Sequence, residues 1–91
     1  MFEYDPAKSA ANLAKHGIDF EAAQALWTDA DRIKGPARSE GEPRWMVIGK
    51  IGRIVWAAAI TYRGDKIRII SVRRAREKEL ASYGNAQNLS D

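Results

Sequence analysis

The stretch Arg44–Arg74, RWMVIGKIGRIVWAAAITYRGDKIRIISVRR, decides the fold. It holds three runs rich in Val, Ile, Trp and Tyr: Arg44 to Ile51, Arg53 to Tyr62 and Lys66 to Arg74. Gly52 and Gly64-Asp65 punctuate them, as tight turns punctuate β-strands. Strands so closely linked form an antiparallel meander. A two-residue Gly64-Asp65 turn sets Arg63 opposite Lys66, and the register follows by symmetry. Tyr62 then faces Ile67, Ile60 faces Ile69 and Trp56 faces Arg73, on a bulky face suited to a helix-covered core. On the other face Thr61 meets Arg68, Ala59 meets Ile70, Ala57 meets Val72 and Val55 meets Arg74. The small side chains in the middle leave a shallow concavity with an arginine toward each end. One extra residue in either strand would exchange the faces of everything beyond it.

Upstream, the sequence reads as two short helices. Asp5 is placed to cap a helix from Pro6 to His16, Pro6 takes the first-turn position where a missing N–H costs nothing, and Gly17 ends it. Ala10, Leu13 and Ala14 recur at helical spacing and make its apolar stripe. Asp19 caps a second helix in which Phe20, Ala23, Leu26 and Trp27 repeat that spacing. Residues 28–43 carry Gly35-Pro36 and Ser39-Glu40-Gly41-Glu42-Pro43, which break periodic structure and leave one long loop with a short strand at Arg32 to Lys34. A third helix runs from Ala75 to Tyr83, with Leu80 and Tyr83 on one side, and Gly84 to Asp91 form a polar, frayed tail. The order β-α-α-β-β-β-α predicts an α+β fold. It comprises a single domain over residues 1–83, with helices stacked on one face of an antiparallel sheet, and a tail over 84–91.

The 91 residues allow one small core and exclude a two-lobed catalyst with a cleft between domains. A composition of 45% hydrophobic and 30% charged residues is that of a folded globule, not a disordered chain. The absence of cysteine removes disulfides, thiolate metal sites and cysteine nucleophiles together, and fits a reducing compartment. No apolar run reaches membrane-span length and the N-terminus lacks signal-peptide order, so a cytoplasmic protein with no membrane association is expected. Residues 1–45 hold six Lys/Arg against eight Asp/Glu, whereas residues 46–91 hold nine against four. The excess concentrates between Arg63 and Lys78, where it reads either as a footprint for a polyanion or as a solvated strand end and helix face.

One histidine and scattered carboxylates supply no metal-ligand spacing, and the glycines form no nucleotide-binding loop. No metal and no cofactor is expected. What the chain does hold is enough for RNA cleavage, in which the 2′-hydroxyl attacks its own phosphate once a base takes the proton and cations stabilise the added charge. His16 suits proton transfer because imidazole titrates nearest neutrality. From the residues alone, its place in the last turn before Gly17 favours capping carbonyls and complementing the dipole at a helix end. Arg68 and Arg74 can clamp a phosphate, or else form salt bridges to Glu40 or Glu42. Trp45 can stack a base or fill the core.

Four strings carry a family likeness: Phe2-Glu3-Tyr4-Asp5-Pro6-x-Lys8; Asn12-x-x-Lys15-His16-Gly17-x-x-Phe20-x-x-Ala23; Glu42-x-Arg44-Trp45-x-x-Ile48-Gly49; and Arg68-Ile69-Ile70-Ser71-x-Arg73-x-Ala75 with Glu79-x-x-x-Tyr83. Together the chain from Phe2 to Tyr83 resembles the BrnT toxins. The resemblance implies a RelE-like fold and the toxin half of a type II toxin–antitoxin pair. It also implies an endoribonuclease that stops translation, a BrnA-like antitoxin partner, and operator DNA reached only through the toxin–antitoxin complex. By position, the resemblance assigns catalysis to His16, Arg44, Arg68 and Arg73, and RNA binding to Lys15, Trp45 and Tyr83; Arg74, at an unmatched position, joins the RNA-binding candidates on its charge and register alone. The register puts Arg68 and Arg74 on one face and Arg73 on the other. A site shared by Arg68 and Arg73 thus needs a bulge or a twist of the strand end, and the twist is expected. The competing reading is a non-catalytic nucleic-acid-binding or protein-interaction module using the same basic face.

Overall fold

The computed structural model describes residues 1–89, with 86–89 as helix backbone. A two-residue strand β1 (Phe2–Glu3) leads into helix α1 (Pro6–His16), opened by Asp5 and Pro6 as the sequence predicts. The Asp5 carboxylate accepts from the Ala7 N–H at 2.9 Å. Gly17 closes the helix at φ 81°, a left-handed conformation that costs glycine little, and its N–H donates to the Leu13 carbonyl.

The buried stripe of α1 differs from the expected one: Ser9 and Asn12 are buried, whereas Leu13 is 49% exposed and Ala10 and Ala14 face solvent. Hydrogen bonds explain the exchange. The Asn12 amide donates to the carbonyls of Ile18 (2.8 Å) and Val72 (2.9 Å) and accepts from the Val72 N–H (3.1 Å). Ser9 accepts from the Phe20 N–H at 2.9 Å. Helix α1 is thus moored by polar groups that occupy backbone sites otherwise left without partners.

Four further strands complete the sheet: β2 (Ile33–Ala37), β3 (Arg44–Ile51), β4 (Ile54–Arg63) and β5 (Lys66–Arg74). Their order is β1-β5-β4-β3-β2, and β2 to β5 are antiparallel as expected, whereas β1 runs parallel to β5. Strand β2 is longer than the expected Arg32–Lys34 and includes Gly35-Pro36. It lies at the sheet's edge, where a proline's missing N–H leaves no inner ladder bond unmade.

The β4–β5 register matches the symmetric one from Arg63–Lys66 to Ile60–Ile69 and then slips. Ala59 pairs with Ser71, Ala58 with Val72, Ala57 with Arg73 and Trp56 with Arg74, leaving Ile70 as the extra residue of a bulge. Paired residues share a face, so Val72 joins Ile60, Ile69, Ala58 and Val47 in the core. Arg74 moves to that same inner face, and Arg73 to the outer one.

After α1 the chain crosses the inner face as a 3-10 helix, Ala22–Thr28, in place of the expected α-helix. The Asp19 carboxylate accepts from the Ala22 N–H at 2.8 Å at its start. Phe20, Ala23 and Leu26, every third residue, are at most 1% exposed, and a period of three is that of a 3-10 turn. The close approach of this helix to β3 needs Gly49, where a Cβ would lie 3.1 Å from Leu26 Cδ2 and 3.3 Å from Arg32 Cβ.

The last helix, α2 (Glu77–Leu89), starts two residues later than expected and takes up most of the expected tail; residues 90–91 lie outside the described residues. Helix α2 covers part of the outer face, where Tyr83 packs with Ile48 and Ala57, so the helices lie on both sides of the sheet and not on one. The fold is a mixed α+β domain, with its main core between the sheet and the pair formed by α1 and the 3-10 helix. Among the described residues no helix is long and apolar enough to cross a membrane.

Candidate functional site

The basic residues are sorted by strand alternation and by the Ile70 bulge. On the outer face, three rows cross the sheet: Glu3–Arg68–Thr61, then Ser71–Ala59–Met46–Gly35, then Arg73–Ala57–Ile48–Ile33. The middle row is small at its centre. These rows place Arg68 and Arg73, not Arg68 and Arg74, on the outer face on either side of the Ser71–Ala59 pair. Arg44 alternates with inner-face Trp45 and therefore also faces outward, in line with the Arg68 row.

The two outer-face arginines are held differently. Arg68 Nη1 donates to Glu3 Oε2 at 2.7 Å, a single contact between side chains 27% and 29% exposed. Arg73 donates to both oxygens of Glu79, at 2.7 and 2.9 Å, and Glu79 also accepts from the Arg76 N–H at 2.8 Å. Glu79 is the third residue of α2, so one carboxylate caps the helix and ties it to β5. The Arg73 hydrogen bonds hold the Glu79 carboxyl below its ordinary pKa against its burial, and Glu79 in turn raises Arg73. Neither Glu40 nor Glu42 meets Arg68 or Arg74; Glu42 lies 3.7 Å from Arg63 instead. The Arg44 side chain makes no hydrogen bond or ion pair among the described residues.

Tyr83 is 6% exposed and its hydroxyl donates to Asp29 Oδ2 at 2.7 Å, so its ring is enclosed in this arrangement. Asp29 also accepts from the Lys50 and Asp31 N–H groups, at 2.8 and 2.9 Å. Burial works to raise the Asp29 pKa. The Tyr83 hydroxyl, the two backbone N–H groups and the Arg32 charge outweigh it, and the carboxyl sits below its ordinary value. Sequence reasoning missed Asp29, Glu3 and Glu79. Only the place of Glu3 and Glu79 within the family-like strings marked them.

The remaining sequence candidates lie elsewhere. Trp45 and Arg74 are on the inner face, Arg74 with its guanidinium 5.9 Å from the Trp56 ring centre. Lys15 is exposed on α1. The chain advances from the Glu3–Arg68 pair to the Asn12–Val72 contact, so α1 runs toward the C-terminal end of β5. His16 lies one turn, roughly 6 Å, further on. The histidine thus sits toward the Arg74 end, partly buried and away from Arg68. The structure gathers Glu3, Arg68, Thr61 and Arg44 at one end of the sheet, and His16, Arg73 and Arg74 toward the other.

A family model described as "Ribonuclease toxin, BrnT, of type II toxin-antitoxin system" matches residues 4–79. The chain belongs to the BrnT family. A search of curated proteins finds no match. Membership makes this BrnT chain a ribonuclease toxin of a type II system, with an antitoxin protein as its partner. The matched segment runs from Tyr4 to Glu79, so in this BrnT chain it includes Arg68, Arg73 and the carboxylate that fixes α2, and begins one residue after Glu3.

Proposed function

We propose that the chain is a metal-independent endoribonuclease with a RelE-like fold, acting on RNA laid across the outer face of the sheet at Arg68. It cleaves cytoplasmic RNA and so stops translation, is neutralised by a BrnA-like antitoxin, and meets operator DNA only within that complex. The observation that carries this reading is the Arg68 end of the outer face. There a guanidinium held by one exchangeable carboxylate contact pairs across to Thr61, and Arg44 lies on the same face two strands away.

RNA brings its own nucleophile. The 2′-oxygen attacks the adjacent phosphorus, the bond to the 5′-oxygen breaks, and the products are a 2′,3′-cyclic phosphate and a 5′-hydroxyl that takes up a proton. Arg68 and Arg44 stabilise the extra negative charge on the phosphorane, which is the term a preorganised cation supplies best. Two groups are candidates for the proton. His16 has the chemistry, but it lies on the α1 side of the sheet, so RNA on the outer face would have to turn around the edge of β5 beyond Arg68 to reach it. Glu3 has the position, since a phosphate that takes over Arg68 frees its carboxylate next to the reacting group. Incubating the purified chain with RNA in excess EDTA is the test. Discrete fragments with cyclic phosphate ends support the reading, and intact RNA refutes it.

One observation favours the non-catalytic alternative. Arg68 and Arg73 are both paired to glutamates, and the histidine lies away from Arg68. Tight RNA binding without cleavage in the same assay would establish that alternative.

A further inference from the structure

On the inner face, at the β2 edge of the sheet and three strands from β5, a second cationic site is built on Lys34 and includes the Trp45 ring. Lys34 of β2 donates through Nζ to the Tyr62 hydroxyl at 3.0 Å. That nitrogen also lies 5.1 Å from the Trp45 ring centre and 5.2 Å from that of Tyr62. A lysine ammonium ordinarily sweeps through solvent on its flexible stem. Here one hydrogen bond and two ring faces fix it, and it makes no other hydrogen bond among the described residues.

Trp27, packed edge-on against Phe2 at 4.9 Å, closes the other side of a cleft of about 390 Å³ that also takes in Arg32. Tyr62 is 43% exposed, unusual for so large a ring in a domain whose other strand aromatics are more enclosed. A second cleft of about 280 Å³, lined by Glu42, Pro43, Trp45, Thr61 and Tyr62, shares Tyr62 with it. Thr61 pairs with Arg68 but is 2% exposed, with its hydroxyl donating to the Pro43 carbonyl at 2.7 Å, so it forms the floor of the second cleft while Arg68 lies on the face opposite Lys34.

We propose that the Lys34 cleft binds one nucleotide of single-stranded RNA flanking the cleavage point, with its phosphate on Lys34 and its base against Trp45 or Tyr62. The proposal rests on the reading that the chain acts on RNA. Fixed positive charge beside exposed ring faces is what a base and its phosphate require together, and stacking accepts any base. The adjoining cleft extends the surface on which the Trp45 and Tyr62 rings are open to the RNA strand. A peptide segment of the antitoxin is the competing occupant.

The test uses the full chain and an RNA octamer that is 2′-O-methylated, so that it cannot be cleaved, with one 5-iodouridine for photocrosslinking. Adducts are expected on Trp45 or Tyr62. Lys34→Ala should weaken binding about five- to tenfold and reduce the slope of log affinity against log salt by about 0.7, the share of one phosphate contact on a single strand. Lys34→Gln, which keeps the stem, should do the same. Unchanged affinity and slope in these folded variants overturns the proposal, as do adducts confined to outer-face residues. A loss of antitoxin affinity in place of RNA affinity overturns it too. Failure of the cleavage reading shows separately, as absent cyclic-phosphate products from unmodified RNA while adducts at Trp45 persist.

Discussion

Arg68 and Arg73 lie five residues apart on one strand and nevertheless project from the same face of the sheet, because Ile70 is left over between the Ile69–Ile60 and Ser71–Ala59 pairs. An odd separation on a regular strand gives opposite faces. The bulge therefore decides which arginines share the outer face, and it sends Arg74 to Trp56 on the other side. Their roles diverge as well. Arg68 is open to exchange, whereas Arg73 fastens α2.

That difference predicts the phenotype of Arg73. Arg73→Ala should lower stability by about 2 kcal/mol, and a double-mutant cycle with Glu79→Ala should show coupling of roughly 1–2 kcal/mol. Urea denaturation of the four proteins measures it. Full additivity of the two changes would show that the bidentate pair contributes nothing to holding α2.

Asn12 should matter more than any apolar residue of its helix. Asn12→Ala leaves the N–H and carbonyl of Val72 and the carbonyl of Ile18 without this partner, a cost of about 3 kcal/mol. Leu13→Ala, at a half-exposed position, should stay within about 0.5 kcal/mol. Melting curves of both variants check the order, and a larger loss for Leu13→Ala would contradict the polar mooring of α1.

The contrast between Asn12 and Leu13 marks where the sequence was legible. Capping residues and strand composition act locally, so Asp5, Pro6, Gly17 and the three strands of the meander could be read directly. The first four β4–β5 pairs followed from turn geometry. A bulge has no local signature among Arg68-Ile69-Ile70-Ser71, and nothing before folding shows that an asparagine side chain will meet the Val72 backbone. The face chosen by α2 depends on Tyr83 reaching Asp29 across 54 positions of sequence. Of the candidate site, the arginines were legible as charge, but their carboxylate partners Glu3 and Glu79 were not.

Acid should loosen the contacts of α2 first. Glu79 and Asp29 both have folded-state pKa values below their ordinary ones, so the stability they contribute is fully present above the ordinary carboxylate range and is lost as pH falls through the lowered values. The melting temperature should hold from pH 7 to about pH 5 and fall below about pH 4. Asp29→Asn should melt lower at neutral pH and show a shallower fall on acidification. An equal fall in both proteins would exclude Asp29 as a source of the acid sensitivity.

The two proton acceptors can be separated by kinetics. General-base assistance is worth about 10²–10⁴-fold, so the residue that supplies it should lose that much single-turnover rate in Glu3→Gln or His16→Ala while the fold persists. If His16 only completes a helix end, His16→Ala should cost about 1 kcal/mol of stability and leave cleavage within about threefold of wild type. A pH–rate profile that loses its alkaline-rising limb in one variant names the base.

The most direct test of RNA cleavage on the outer face is the single-turnover rate of Arg68→Ala on one defined RNA in EDTA, taken with its melting curve. Loss of a preorganised cation at the phosphorane predicts a rate at least about 100-fold lower, with the fold intact and with only partial recovery in Arg68→Lys. A folded Arg68→Ala protein that cleaves within about threefold of wild type would contradict the account and move the reaction away from this face.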